Sequence, residues 1–204
     1  MKGSLYTIVY AVIVGTFCAA LLTGAAEFTR PFREANQRAE EMRNILGVLD
    51  VPFAPGASAE ELVQVFDNHV RRETFGPLTA YRLITNEEEV DAGAVAIEFE
   101  GSGAWGPIRG FLALESDWET IRGITFHDHQ ETPGLGGEID TAAFREQFRG
   151  QPLLAPDGSP AVRIVRDGAD DPGEVDAISG ATITCDRVEV ILRRLAEQID
   201  EVHP

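Results

Sequence analysis

Hydrophobic and polar positions follow three different patterns along this chain. Residues 5–26 form an apolar run without a charged residue. A helix of that length is about 33 Å long, enough to cross a hydrocarbon core of about 30 Å. We therefore predict one transmembrane helix, preceded by a tail of residues 1–4. A cleaved signal peptide is the alternative, because Lys2 gives a basic start and residues 23–26 are small.

The second pattern, in residues 27–77, is the spacing of amphipathic helices. Pro31 is typical of a first helical turn, and apolar residues recur from there to Leu49. Residues 50–57 contain two prolines and a glycine, which end that helix. Ser58 and Glu61 match a capping box and predict a second helix. The apolar face of this second helix contains Leu62, Val63, Phe66 and Val70.

The third pattern begins near residue 78 and consists of short strand-like runs. They occupy residues 95–99, 108–114, 120–126 and 161–165. Alternation of apolar and polar positions is clearest in the first of them, through Val95, Ile97 and Phe99. The runs predict a small antiparallel or mixed sheet in the C-terminal part of the chain.

Helical patterns return within this C-terminal part. Residues 144–148 predict a short helix that ends before Gly150, and residues 167–174 predict an acidic loop. The last helix has a clear apolar stripe, formed by Val188, Ile191, Leu192, Leu195, Ile199 and Val202. The predicted fold class is α+β: a transmembrane helix, connecting helices, and a compact domain in residues 78–204 with a small sheet and a C-terminal helix.

The net charge and the spacing of the cysteines exclude some classes of function. The formal net charge is −17, from 34 acidic against 17 basic residues. Such a field repels nucleic acid, which excludes a DNA- or RNA-binding role. Cys18 and Cys185 have no zinc-binding spacing and are predicted to be free thiols. Arginines after the apolar run favour a cytoplasmic location of the C-terminal domain, whereas a signal-like N-terminus favours its export. The sequence is therefore compatible with a domain on either side of the membrane.

Residues 176–186, DAISGATITCD, are the first candidate site. Thr184 or Asp186 can cap the terminal helix, which places backbone N–H groups and the positive end of a helix dipole at this segment. Helix ends of this kind bind phosphate. Gly180 and Ala181 would let a ligand approach the backbone. The alternative is a plain capped turn.

Two glycine-rich segments are the other candidates. Residues 131–137, ETPGLGG, place three glycines around Leu135, which suits a loop that packs its backbone against a flat group. They match neither a P-loop nor a Rossmann spacing, and an ordinary surface turn is the alternative. Residues 101–107 place Trp105 among glycines, where its ring either plugs the edge of the domain or stacks on an aromatic cofactor.

Other chemistries receive less support from the sequence. His127 and His129 lie on one face of a predicted strand near Glu131, which gives an alternative zinc site that lacks a fourth ligand. The acidic loop lacks the glycine and glutamate positions of an EF-hand. Ser179 lies outside any Gly-x-Ser-x-Gly elbow, so it is not a hydrolase nucleophile.

The three candidate segments together resemble a known family. D-x-x-S-G-A-T in residues 176–182 resembles the signature of proteins that carry FMN bound to threonine by a phosphoester. With the ETPGLGG and Trp105 segments and the N-terminal helix, the chain resembles C subunits of the sodium-translocating NADH:quinone oxidoreductase. The related G subunits of Rnf electron-transport complexes are close in pattern and nearer in length. Cys185 departs from the pattern, since Ser or Thr is more usual there.

The resemblance implies a flavin site. Thr182 Oγ would be esterified to the FMN phosphate by a separate flavin transferase that uses FAD. The turn at the phosphate would consist of Ser179, Gly180, Ala181 and Thr184. The isoalloxazine ring would lie between Trp105 and Leu135. Further contacts at the polar edge of the ring and at the phosphate would come from Glu131, Thr132, Gly136, Arg163 and Arg166.

The resemblance also implies what the protein does. It would relay electrons within an ion-translocating complex, with the other membrane subunits as partners, and it would have no catalytic residues or metal of its own. The FMN-binding domain would lie on the extracytoplasmic side of the inner membrane, behind a single membrane helix. A free-standing flavin carrier outside the cytoplasm and a membrane-anchored metal-binding module are the alternatives.

Overall fold

The computed structural model describes residues 2–84, 93–166 and 168–202, with side chains from residue 6 onward. These residues form two compact units, Met1–Glu40 and Glu41–Pro204. The predicted acidic loop begins at Asp167, which lies outside the described residues. Helix α1 (Lys2–Val48) begins in the first unit and ends in the second.

In the first unit, α1 is exposed along its apolar stretch. An 18-residue window has a mean hydropathy of 2.1, and none of it is buried. By its length and composition, the helix is long and apolar enough to cross a membrane. Because α1 begins at Lys2, most of the predicted tail of residues 1–4 is helical.

The predicted helix start at Pro31 is wrong, because α1 continues through this residue. Proline lacks the N–H that would bond to the carbonyl four residues earlier. Side chains bond to nearby carbonyls instead: Thr29 Oγ1 donates to Ala25 O at 2.9 Å, and Arg33 Nη2 donates to Ala26 O at 3.2 Å. Hydrogen bonds of this kind let a helix continue past a proline.

The second unit begins with the end of α1 and with α2 (Ala59–His69). The capping box of α2 is confirmed: Glu61 N–H donates to Ser58 Oγ at 3.3 Å, and Ser58 N–H donates to the Glu61 carboxylate at 2.7 Å. Val70 was predicted on the face of this helix. It is instead the first residue of a strand, because the backbone becomes extended there.

A five-stranded antiparallel sheet forms the centre of the second unit, with its strands in chain order. The predicted runs at 95–99, 108–114 and 120–126 are confirmed as its last three strands. Strand β1 precedes residue 78, so the sheet starts earlier than predicted. The strands are β1 (Val70–Phe75), β2 (Leu78–Leu83), β3 (Val95–Ser102), β4 (Pro107–Leu114) and β5 (Ile121–Asp128).

Short elements connect β5 to the last helix. A 3₁₀ turn at Gly136–Asp140 precedes α3 (Ala142–Arg145), and a second 3₁₀ turn at Glu146–Phe148 follows it. The predicted helix at 144–148 therefore exists as two shorter pieces, and Gly150 follows with a φ of 76°. A parallel pair comes next, consisting of β6 (Arg163–Val165) and β7 (Glu174–Asp176), of which only β6 was predicted.

Helix α4 (Thr182–Val202) and the end of α1 cover opposite faces of the sheet. The predicted stripe of α4 is buried in the main core, together with side chains of β2 to β5, except for Val202, which is partly buried against it. On the other face, Tyr81 packs edge-on against Phe111 at 5.8 Å and against Phe66 of α2 at 6.0 Å. Tyr81 also donates a hydrogen bond to Glu41 of α1 at 3.2 Å. The α+β prediction is confirmed, and the start of α4 lies beside the sheet.

Candidate functional site

A cleft of about 340 Å³ lies where the three candidate segments meet. The loop after β3, the loop after β5 and the first turn of α4 each contribute one side. Antiparallel β3, β4 and β5 bring the two loops to the same end of the sheet. The cleft contains most of the predicted residues, namely Trp105, Glu131, Thr132, Leu135, Gly136, Gly180, Ala181, Thr182 and Thr184.

Helix α4 begins at Thr182, so the prediction that Thr184 or Asp186 caps it is wrong. The N–H of Cys185 donates to Ala181 O at 3.0 Å, which is the first bond of the helix and places Ala181 at the cap position. Alanine has no side-chain acceptor. The N–H groups of the first turn are therefore left for another acceptor, at the positive end of the helix dipole.

A tight turn before α4 brings this helix end to the cleft. Gly180 has a φ of 78°, a conformation that L side chains rarely adopt, and a Cβ at this position would lie 3.1 Å from Leu135 Cδ2. The N–H of Ala181 donates to Ile178 O at 3.1 Å and closes the turn. Glycine at this position lets Leu135 approach the backbone before Thr182.

Glu131 joins the three sides of the cleft. Its side chain is buried, and its Oε1 accepts hydrogen bonds from the N–H groups of Ala104 at 2.8 Å and Trp105 at 3.3 Å. Its Oε2 accepts a hydrogen bond from Thr184 Oγ1 at 2.6 Å. One carboxylate thus holds the Trp105 loop against α4, a set of contacts that the sequence did not reveal.

Two glycines leave space for this carboxylate. A Cβ on Gly103 would lie 2.4 Å from Glu131 Oε1, and a Cβ on Gly136 would lie 2.4 Å from Thr184 Oγ1. Neither position accepts a side chain without displacing the hydrogen bonds of Glu131. The glycine-rich loop was predicted to pack its backbone against a flat group, and at Gly136 it packs against Glu131 and Thr184.

The mouth of the cleft is apolar and open. Trp105, Leu135 and Ile183 are 74%, 44% and 62% exposed. The interpretation of Trp105 as a plug at the domain edge is therefore wrong. Ile183 and Ala104 also line the cleft and were missed from the sequence. The signal for Ile183 was its position outside the buried stripe of α4.

Three predicted residues lie outside the cleft lining. Ser179 is exposed in the turn before Gly180. Arg163 pairs with Glu174 at 2.6 Å, and Arg166 lies 3.4 Å from Asp186 on the surface. Both guanidinium groups have carboxylate partners, and the structure does not bring them to the cleft.

The two histidines considered for zinc have other contacts. The ring of His127 stacks on Phe111 at 4.9 Å, and His129 Nδ1 accepts a hydrogen bond from the N–H of Glu131 at 3.3 Å. Within residues 2–84, 93–166 and 168–202, no group of three or more His, Cys, Asp or Glu side chains is arranged to hold a metal ion.

The cysteines are free, as predicted: Cys18 is exposed and Cys185 is buried. Burial raises the pKa of the Cys185 thiol, and its sulfur accepts a hydrogen bond from the N–H of Ile178 at 3.4 Å. Cys185 therefore contributes to the turn before α4, and its thiol stays protonated near neutral pH.

Comparison with known proteins identifies the family. Residues 103–197 match the FMN-binding domain family. The chain is 31% identical over 226 residues to the C subunit of a Na(+)-translocating NADH-quinone reductase from Yersinia pestis, a match that covers 90% of this chain and 85% of that relative. The chain belongs to this C-subunit family. The resemblance predicted from the three segments is thereby confirmed.

Other members of the C-subunit family agree with this result. A relative of the same name from Vibrio campbellii is 42% identical over 109 residues, which is 52% of this chain and 41% of that relative. The crystal structure of Shewanella oneidensis NqrC covers 79% of this chain and 93% of its own, with a TM-score of 0.69 and 22% identity. A C-subunit structure from Parabacteroides distasonis covers 86% and 97%, with a TM-score of 0.70 and 23% identity. The two structures share the fold described above.

Proposed function

We propose that this member of the C-subunit family carries FMN esterified to Thr182 and relays electrons within a membrane-bound Na(+)-translocating NADH-quinone reductase. One observation carries the proposal: Thr182 is the exposed first residue of an uncapped helix at the cleft. The match of residues 103–197 to an FMN-binding domain supports the choice of cofactor.

The environment of the two threonines favours Thr182 as the attachment site. Thr184 is buried, and its hydroxyl donates to Glu131. Thr182 is exposed to solvent. A modifying enzyme reaches an exposed hydroxyl, whereas the hydroxyl of Thr184 is already bound inside the protein. The phosphoester would therefore form at Thr182 Oγ1.

The residues of the cleft fit the two ends of FMN. The N–H groups at the start of α4 would bind the phosphate, since helix N-termini bind anions without a basic side chain. A role for Arg163 and Arg166 at the phosphate would require them to leave Glu174 and Asp186. The exposed side chains of Trp105 and Leu135 would flank the ring, with Thr132 at its polar edge.

The chemistry of electron transfer belongs to the cofactor. When bound, FMN supplies the ability to accept and pass on electrons. The chain supplies attachment at Thr182, apolar side chains at the mouth of the cleft, and the carboxylate of Glu131 in the cleft lining. Other proteins of the complex would be the donor and acceptor, and the domain would lie on the extracytoplasmic side of the membrane.

Attachment would need a flavin transferase with FAD as the substrate. Thr182 Oγ1 would bond to the phosphorus of the FMN half, and the bond between the two phosphates of FAD would break. AMP would leave, and the hydroxyl proton of Thr182 would pass to a base of the transferase. No electron is transferred in this step, so it requires no oxidant or reductant.

Flavin fluorescence of the denatured protein tests the attachment. Protein co-expressed with a flavin transferase should give a fluorescent gel band, and the peptide containing Thr182 should gain the mass of FMN less one water. Thr182→Ala should give a dark band, whereas the matched control Thr184→Ser should stay fluorescent. A fluorescent Thr182→Ala band, or a dark wild-type band, would overturn the proposal.

Purification in mild detergent tests the place of the protein in a complex. Co-purification with several hydrophobic membrane proteins is expected for a member of the C-subunit family. Recovery of the flavinylated chain alone would instead indicate a free-standing carrier and would contradict the proposed complex.

A further inference from the structure

The hydrogen-bond partners of Glu131 are all donors. They are the N–H groups of Ala104 and Trp105 and the hydroxyl of Thr184, at 2.8, 3.3 and 2.6 Å. An ionised carboxylate accepts from all three at once. No cation is among these three partners. The contacts therefore hold a negative charge whose neighbours are dipoles.

The position of this charge matters for an electron carrier. Glu131 is only 5% exposed and lines the cleft whose mouth is formed by Trp105 and Leu135. Water screens a buried charge weakly, so its field acts more strongly on a group in the same cleft. A negative charge beside a flavin opposes the arrival of an electron and lowers the reduction potential.

We propose that Glu131 sets the reduction potential of the flavin in this cleft. Its charge lowers the potential, and the hydroxyl of Thr184 moderates that charge by hydrogen bonding to Oε2. Glu131 is a positioning residue as well, because the same carboxylate fixes the Trp105 loop against α4. The proposal rests on the proposed function, since it needs a flavin beside Glu131.

Glu131→Gln tests the charge at nearly constant shape. Flavinylated full-length protein would be titrated anaerobically in detergent with dithionite, which supplies two electrons to each flavin, while water supplies the protons. The absorbance of the flavin reports the midpoint potential, which should become more positive in Glu131→Gln. The matched control is Glu138→Gln, which removes the same charge from the neighbouring 3₁₀ turn outside the cleft lining and should leave the potential near that of the wild type.

Thr184→Val tests the hydrogen bond while the charge stays. This variant removes the hydroxyl that donates to Glu131 Oε2, so the negative charge of the carboxylate is less stabilised by hydrogen bonds. The reduction potential of the flavin should therefore become more negative. Thr184→Ser keeps a hydroxyl and should stay close to the wild type. A cleft that is merely loosened exposes the flavin to water in both variants and shifts both potentials in the same direction. Opposite shifts in Glu131→Gln and Thr184→Val therefore distinguish charge from packing.

Equal potentials in Glu131→Gln and Glu138→Gln would overturn the proposal, as would shifts of the same sign in Glu131→Gln and Thr184→Val. If Glu131→Gln fails to fold or to take up flavin, the midpoint potentials of Thr184→Val and Thr184→Ser are compared instead. Equal potentials in these two variants would contradict the proposed role of Glu131. A wild-type protein without covalent flavin overturns the proposed function instead. Gel fluorescence shows that outcome before any titration begins.

Discussion

His127 is a titratable residue whose charged form the fold disfavours. Burial lowers the pKa of its imidazole, although the carboxylates of Asp128 and Glu98 oppose the shift. The ring stacks on Phe111, and its Nδ1 is buried without a hydrogen-bond partner among the described residues. A neutral ring suits this environment, so protonation of His127 favours the unfolded chain.

We predict that the protein loses thermal stability as the pH falls from about 7 to about 5, in the range where histidine titrates. The pKa of His127 is lower in the folded chain than its ordinary 6.5, so its stabilising contribution is complete above 6.5 and is lost as the pH falls through the folded value. His127→Phe keeps the stacked ring without the titration and should lose less stability over this range.

Thermal unfolding in detergent at several pH values measures this difference. The control is His69→Gln, which replaces an exposed histidine at the end of α2. An equal loss of stability in His127→Phe and the wild type would contradict the prediction. Carboxylates with a lowered pKa, such as Glu61 and Glu174, lose their contribution only below about 4.5 and do not interfere.

At the scale of single residues, the sequence identified the chemistry of the cleft but not its environment. Thr182 and Thr184 are both threonines of the same segment, so the sequence does not distinguish them. The structure does, because Thr184 is buried and its hydroxyl donates to Glu131. The partner of the Thr184 hydroxyl is Glu131, which lies 53 positions away in the chain. Glu131 itself was predicted at the ring edge, and its contacts to Ala104 and Trp105 follow from loop geometry that no local pattern encodes.

At the scale of elements, local patterns predicted what local interactions determine. The capping box of α2 and the stripe of α4 were found because their residues lie within a few turns of one another. The start of α4 was missed because Ala181 is a poor cap that only the preceding Gly180 turn places there. Strands β1 and β7 were missed because their sequences are rich in charged residues.

The capping box provides a prediction for α2. Ser58→Ala removes the acceptor for the N–H of Glu61 and should lower the free energy of unfolding by about 1 kcal/mol. Ser58→Asp restores a side-chain acceptor and should recover most of that loss. Thermal unfolding of the two variants in parallel checks this. A Ser58→Ala protein as stable as the wild type would show that packing of Leu62 alone holds the helix.

At the scale of the whole molecule, the chain divides within a helix. The unit Glu41–Pro204 contains the buried core, whereas the apolar window of the first unit has no buried residue. The sequence predicted a membrane helix in residues 5–26, connecting helices in residues 27–77 and a domain in residues 78–204. The end of α1 belongs to the second unit because Ile45 and Leu46 of this helix are buried there, as is Leu49, which follows it.

Two truncations test this boundary. A fragment of residues 41–204 should fold in the absence of detergent and keep a cooperative thermal transition, because it retains the whole core. A fragment of residues 53–204 loses Ile45, Leu46 and Leu49, each of which contributes about 1.5–3 kcal/mol when fully buried. That sum approaches the total stability of an ordinary domain, so the shorter fragment should be largely unfolded. Circular dichroism compares them, and equal stability would place the boundary after α1.

The alanine at the cap position of α4 has a consequence for how the protein would fold and mature. A helix whose cap residue is Ala181 lacks the side-chain oxygen that most helices receive from their own sequence. A phosphate attached to Thr182 would provide that oxygen, so the prosthetic group would serve as part of the secondary structure. Attachment of FMN would then be the last step of folding. Before that step, the N-terminus of α4 in a newly synthesised chain would have no phosphate to accept hydrogen bonds from its N–H groups.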